Sequence, residues 1–108
     1  MNSYQGKRIE HDWPMVERVV EVAGRPEKQT LTAERSLKIR NHSPDGFNWG
    51  YFGSGPSQLA LAILLDFTDS EQMALELYQD FKREFVANFH DTWTLSGQQI
   101  QDWLLKNA

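Results

Sequence analysis

The sequence of 108 residues contains no cysteine, which excludes disulfide bonds, thiol catalysis and cysteine-ligated metal centres. It also lacks a long apolar run, since the longest one, Leu59–Leu65, is far shorter than the roughly 18 residues of a membrane helix. Proline (4) and glycine (7) are too few for a collagen-like or low-complexity chain. The first ten residues lack the apolar stretch of a signal peptide. These absences predict a soluble, cytoplasmic protein with no membrane segment.

Apolar residues are abundant enough for one hydrophobic core. They make up 40% of the chain, and 12% of it is aromatic, including four tryptophans. This composition excludes global disorder. A chain of this length is typical of one domain, so we expect residues 1–108 to fold as a single unit, mainly strands in 1–55 and mainly helices in 56–108.

Acidic residues are concentrated in the second half of the chain. The formal net charge is -4, which argues against a domain that binds nucleic acid directly through its own charge. Residues 1–55 carry eight basic and seven acidic side chains, whereas residues 56–108 carry three basic and eight acidic ones. The second half therefore presents a field that would attract a basic partner, unless these charges only keep helix faces solvated.

The first half has the patterns of short strands. Tyr4–Ile9 and Met15–Val22 are rich in strand-forming residues. In Ser36–Arg40, apolar and polar residues alternate, and Phe47–Tyr51 is aromatic. Between them, residues 41–46 contain Pro and Asp-Gly, which are typical of turns. We therefore predict a β-hairpin over residues 36–51.

The second half has the patterns of helices. Ser57–Phe67 is apolar on all sides, which is typical of a helix that is buried all round. Ser70–Phe89 and Gly97–Leu105 have apolar residues at helical spacing. Strands followed by helices predict an α+β fold, in which a small antiparallel sheet from the N-terminal half packs against two or three helices from the C-terminal half.

Two helix starts carry the residue pairs of a capping box. In this motif an N-cap side chain and the side chain three positions later bond to each other's backbone N–H groups. Asp69 with Gln72 and Ser96 with Gln99 have this spacing. The pairs predict helices that begin immediately after Asp69 and Ser96.

The acidic residues of the second half suggest a protein-binding surface on the predicted helices. We name four of them the acidic helical face: Asp69, Glu76, Asp80 and Glu84. Like charges four residues apart cost a helix some stability, a cost that binding to a cationic partner would offset. The alternative is a solvated face with nearby lysine and arginine.

A glycine-containing loop before the first long helix is a second candidate site. Glycines there can expose backbone N–H groups to an anion at the positive end of the helix dipole. The candidate residues are Gly53, Ser54 and Gly55. The alternative is a tight connection in which larger side chains do not fit.

Basic residues near the aromatic segment are a third candidate site. Single-stranded nucleic acid is bound by cations interleaved with stacking aromatic rings. The candidate contacts are Arg35, Lys38 and Arg40, beside the aromatic residues of Phe47–Phe52. The alternative is that these rings pack in the core.

No residue pattern predicts catalysis or metal binding. His42, Ser43 and Asp45 share one short turn, where neighbours rarely align as a catalytic triad. The other two histidines, His11 and His90, have no ligand spacing to a second histidine or acid. We therefore predict no catalytic residues, no metal and no cofactor.

The central segment is similar to that of a known family. Residues 41–65 read NHSPDGFNWGYFGSGPSQLALAILL and resemble the core motif of a small uncharacterised domain family of bacteria, archaea and their phages. The segments 77–84 and 93–95 and the Tyr-x-Gly-x-Arg pattern of residues 4–8 are similar as well. Phe52 departs from the family pattern, which has a small residue there. The resemblance implies no activity and no catalytic residues.

The combined expectation is a non-enzymatic protein-interaction module. The resemblance implies a habitat in phages and mobile elements. By analogy, the partner would be a host complex that handles nucleic acid or performs defence, and the protein would inhibit or regulate it, as anti-CRISPR proteins do. The alternatives are a small-ligand or phosphate-binding module that uses the Gly53–Pro56 loop, and a weak nucleic-acid binder.

Overall fold

A four-stranded antiparallel sheet forms one layer of the protein, described over residues 1–108 by a computed structural model. The spatial order is β3-β2-β1-β4. β4 is the last strand in the chain, and it pairs with the first strand, β1, with Tyr4 opposite Leu95. The strands are β1 (Ser3–Ile9), β2 (Trp13–Val22), β3 (Arg25–Thr30) and β4 (Trp93–Leu95).

Four helices account for most of the remaining chain. They are α1 (Glu34–Ile39), α2 (Ser54–Thr68), α3 (Glu71–Glu84) and α4 (Gly97–Asn107). The central one is α2, in which every residue from Gly55 to Leu65 is buried, as its apolar sequence predicts. None of the helices has the length and apolar character needed to cross a membrane.

The core lies between α2 and one face of the sheet. Tyr4 and Val16 point to this face from neighbouring strands and are buried. Gly6, which lies opposite Val16, leaves space for the indole of Trp93, because a Cβ atom at residue 6 would lie 2.3 Å from Nε1 of that ring. The close contact of β1 and β4 therefore depends on the absence of a side chain at residue 6.

The β2–β3 hairpin extends beyond the core. Its two-residue turn consists of Ala23 and Gly24, both with positive φ, the backbone geometry that matches the twist of antiparallel strands. All six residues of β3 are exposed. Pro26 is tolerated there because β3 is an edge strand whose outer side needs no N–H donors.

The predicted α+β class is confirmed, with two additions and one correction. The three strands of the N-terminal half pack against helices of the C-terminal half, but β4 comes from the C-terminal half and α1 from the N-terminal half. The hairpin over residues 36–51 is wrong. Ser36–Arg40 lies in α1 and its C-cap, and Phe47–Tyr51 forms no strand.

Arg8 explains why the aromatic segment is irregular. Its guanidinium donates to the side-chain oxygen of Asn48 at 2.8 Å and to the backbone oxygen of Trp49 at 3.3 Å. It also lies 4.5 Å from the centre of the Trp49 ring, a cation–π contact. The N–H of Gly50 donates to the oxygen of Val86. Backbone groups that a strand would pair are therefore satisfied by other partners.

One of the two predicted capping boxes is confirmed. Ser96 and Gln99 make both reciprocal bonds at the start of α4. The box at Asp69 is wrong, because Asp69 ends α2 in the left-handed conformation and the N-cap of α3 is Ser70, which accepts from the N–H of Met73. The chain reverses between two helices here, and Asp is one of the few residues that tolerate that conformation.

Replacing Ser96 with alanine should lower the free energy of unfolding by about 1 kcal/mol, because the N–H of Gln99 loses its acceptor. Urea unfolding monitored by circular dichroism measures this change. The matched control is Ser54→Ala at an exposed position in the first turn of α2, which should stay within about 0.5 kcal/mol of the wild type. Equal effects of the two substitutions would contradict the role of the cap.

Candidate functional site

The acidic helical face is exposed, and half of its charge is paired. Asp69 pairs with Arg35 at 2.5 Å, and Asp80 pairs with Arg83 one turn away on α3. Glu76 and Glu84 form no ion pair. The two free carboxylates are therefore the members of this face that can attract a partner's cations.

Both free carboxylates line grooves between α3 and α4. One groove runs from Glu76 and Leu77 to the C-terminal end of α4. The other contains Glu84, Phe85, Asp102, Trp103 and Lys106. The half-buried side chains of Leu77 and Phe85 line the two grooves, so this side of the domain combines acidic and apolar surface.

The basic candidates lie on and just after α1 rather than on a sheet. Arg35 is occupied by Asp69, and Lys38 is exposed. Arg40 follows the helix and donates to the hydroxyl of Tyr78 at 3.3 Å. Of the aromatic rings predicted beside them, Trp49 is buried in the core, where it cannot stack on a nucleic-acid base. Contact of these basic residues with nucleic acid stays a prediction, although the hairpin that suggested it does not form.

The loop Gly53, Ser54 and Gly55 is a tight connection. A Cβ atom at Gly55 would lie 2.7 Å from Cβ of Asn48, so only glycine fits there. Ser54 is exposed, whereas Gly55 and the following Pro56 are buried. These contacts account for the glycine at residue 55 by packing, and ligand binding by the loop stays a prediction.

Gln58 is a buried polar residue that sequence reasoning missed. Its Oε1 accepts from the N–H groups of His42 and Ser43 at 2.7 and 3.1 Å. Its Nε2 donates to Ser36 Oγ at 2.8 Å and to the oxygen of Arg40 at 3.1 Å. The signal was a glutamine within a helix that is otherwise apolar, where a polar group needs partners. Gln58 thereby fixes α1 and the segment after it on α2.

Three basic side chains converge beside this glutamine, and we call Arg40, His42 and Lys82 the basic cluster. Nε2 of His42 lies 2.7 Å from the hydroxyl oxygen of Tyr78, which also accepts from Arg40. Nζ of Lys82 donates to Ser57 Oγ at 3.2 Å. Burial lowers the pKa of His42, and the positive charges of Arg40 and Lys82 lower it further.

A second polar network joins the sheet to α2. The carboxylate of Asp66 accepts from the hydroxyl of Tyr4 at 2.6 Å and from Nε of Arg18 at 3.0 Å. Burial acts to raise the pKa of Asp66, but the hydrogen bonds from Arg18 and Tyr4 outweigh it and hold that pKa below its ordinary value. Burial and the bond to Asp66 raise the pKa of Tyr4. This network is structural, because it connects β1 and β2 to the central helix.

Trp13 is the exposed tryptophan, at 63%, beside Ile9 at 44%. Phe52, which departs from the family pattern, is also exposed.

No group of three or more histidine, aspartate or glutamate side chains is arranged to hold a metal ion.

Comparisons with known proteins place the chain in a family. No curated protein and no solved structure matches it. The sequence model of a family of unknown function, DUF6166, matches residues 4–106, from the second residue of β1 to the penultimate residue of α4. The expected resemblance to an uncharacterised domain family is confirmed by this match. The chain belongs to the DUF6166 family.

Proposed function

We propose that this domain acts by binding another protein through the side formed by α3 and α4, without catalysing a reaction. The observation that carries the proposal is the position of Glu76 and Glu84, two exposed carboxylates without a cation that line the grooves between these helices. Unpaired surface charge steers a partner of opposite sign and selects it over others. The occupant that fits is a protein segment that carries lysine or arginine.

Apolar surface beside the carboxylates supports a protein partner rather than a small cation. Leu77 and Phe85 are half-buried and line the same grooves as Glu76 and Glu84. Protein interfaces combine an apolar centre with a polar rim, and this side has both kinds of surface. Lys106 lies in one groove and is the cation that a basic partner would have to avoid.

A finer form of the proposal concerns the kind of partner. An acidic face can occupy a protein surface that normally holds nucleic-acid phosphate, because both present negative charge. The partner would then be a host complex that handles nucleic acid or performs defence, and binding would inhibit or regulate it. The negative charge of residues 56–108 and the phage habitat implied by the resemblance support this form.

Charge reversal tests the proposal. The tagged full chain is used to capture proteins from a bacterial lysate, with and without nuclease, and bound proteins are quantified by mass spectrometry. We expect a partner that survives nuclease and is lost at least about tenfold with Glu76→Lys/Glu84→Lys, because two attractive contacts become repulsive.

The matched control reverses two exposed glutamates of the β2–β3 hairpin, Glu21→Lys/Glu27→Lys, which changes the net charge equally. This control should retain the partner. Capture of the same proteins in the same amounts by the wild type and by Glu76→Lys/Glu84→Lys would refute binding through α3 and α4. A partner lost with nuclease would point instead to bridging by nucleic acid.

A further inference from the structure

The basic cluster concentrates positive charge that no carboxylate neutralises. Neither Arg40 nor Lys82 forms an ion pair. Of the six arginines, Arg8, Arg18, Arg35 and Arg83 each pair with an aspartate, whereas Arg25 and Arg40 do not. Like charges in one place repel each other and are stabilised when an anion enters between them.

The donors of the cluster are held in place by the fold. Gln58 is fully buried and bonds to the backbone at Arg40 and at His42, so both residues leave α1 in a fixed geometry. Tyr78 and Lys82 lie one turn apart on α3. A site whose donors are already positioned loses little conformational entropy when a ligand binds.

Two hydroxyl groups lie among these side chains. Tyr78 Oη lies between His42 and Arg40, whereas Ser57 Oγ accepts from Lys82 and donates its hydrogen to the backbone oxygen of Gly53, so it holds Lys82 in place. Ser57 is in the first turn of α2, where the helix dipole adds positive potential. Guanidinium, ammonium, imidazole and hydroxyl groups together are the donors that proteins use for phosphate oxygens.

We propose that Arg40, His42 and Lys82, with the hydroxyl of Tyr78, bind one phosphoryl group of a small phosphorylated molecule. A chain with a net charge of -4 repels an extended polyanion, which favours a small phosphorylated ligand. With about 3.6 residues per turn, Tyr78 and Lys82 lie on the opposite side of α3 from Glu76 and Glu84. The ligand site is therefore separate from the proposed protein-binding side.

The test titrates inorganic phosphate and pyrophosphate into the full chain and follows the His42 ring by NMR. We expect saturable shifts at His42 and a rise of its pKa when the anion is bound, since negative charge favours the protonated imidazole. Arg40→Gln and Lys82→Gln should each weaken binding about tenfold or more, the effect of removing one charged hydrogen bond. Lys38→Gln and Lys106→Gln, at exposed lysines outside the cluster, are the matched controls and should leave binding unchanged.

Two results would overturn the proposal. One is the absence of any His42 shift with either anion, and the other is equal weakening by the cluster and control substitutions. A third arm adds a short single-stranded oligonucleotide. If it binds with a steep salt dependence while phosphate and pyrophosphate do not bind, the small-molecule assignment is wrong. Circular dichroism of each variant verifies that the fold is retained, and the wild-type titration needs no substitution.

Discussion

Replacing Gln58 with leucine should lower the free energy of unfolding by about 3–5 kcal/mol. Leucine fills a similar volume but provides neither the acceptor for the N–H groups of His42 and Ser43 nor the donor to Ser36 and Arg40. Each buried polar group that loses its partner costs about 1–3 kcal/mol. Water can reach the half-buried groups of residues 42 and 43, so the total stays below the sum of four such costs.

Urea unfolding measures the loss, and hydrogen exchange locates it. The amides of His42 and Ser43 should lose most of their protection from exchange in Gln58→Leu. Amides in the middle of α2 should lose only the protection that corresponds to the lower free energy of global unfolding. The matched control is Gln72→Leu at an exposed position of α3, which should stay within about 0.5 kcal/mol of the wild type. If the free energy of unfolding of Gln58→Leu stayed within about 1 kcal/mol of the wild-type value, contacts other than those of Gln58 would hold the segment after α1 on α2.

Replacing Asp66 with asparagine should cost about 2–4 kcal/mol at neutral pH. Arg18, whose side chain is 25% exposed, would keep its charge without the carboxylate that now pairs with it. Loss of one partner of a fully buried ion pair costs about 3–5 kcal/mol, and partial solvation reduces that cost here. Tyr4 can still donate to the amide oxygen of asparagine, so the loss comes mainly from Arg18.

The same substitution should change how stability depends on pH. Because the pKa of Asp66 is lower in the folded protein than its ordinary value of 3.8, its contribution is fully present above that value and is lost as the pH falls through the folded pKa. The pKa of Tyr4 is raised, so its contribution is present below about 10 and is lost at higher pH. The free energy of unfolding, measured with urea at several pH values between about 2 and 5, should fall less steeply with decreasing pH in Asp66→Asn than in the wild type.

The control for Asp66 is Asp80→Asn, which breaks an exposed pair with Arg83. The side chains of that pair are 59% and 57% exposed, and such pairs contribute about 0–1 kcal/mol. Asp80→Asn should therefore leave both the stability and its dependence on pH nearly unchanged. If the free energy of unfolding fell equally steeply with decreasing pH in Asp66→Asn and in the wild type, other carboxylates would govern acid unfolding.

The parts of the fold with long, regular patterns could be predicted from the sequence. The all-apolar α2 and the amphipathic α4 with its cap needed only local information, and β1 and β2 had enough strand-forming residues. In α1, six residues are too few for helical and strand periodicity to be told apart. The three residues of β4 have no signal of their own, because their conformation comes from pairing with β1. Tertiary contacts thus decided both elements.

The candidate sites also differ in whether local sequence or tertiary contacts bring their residues together. Exposed acidic residues on one helix are visible in a sequence, because their spacing alone places them on one side. The basic cluster is not, since Arg40 and His42 lie some forty residues before Lys82 and only the fold brings them together. Gln58 fixes the backbone at Arg40 and His42 on α2, and Lys82 reaches the same helix from α3 by its bond to Ser57.

The position of β4 has a consequence for synthesis on the ribosome. β1 leaves the exit tunnel well before β4, because this partner strand lies about ninety residues later in the chain. Until that partner emerges, Gly6 faces an empty space where the Trp93 indole belongs. Contacts between distant segments form slowly because a long loop must close first. A β1–β2 hairpin that forms during translation therefore has an open edge until β4 has also emerged.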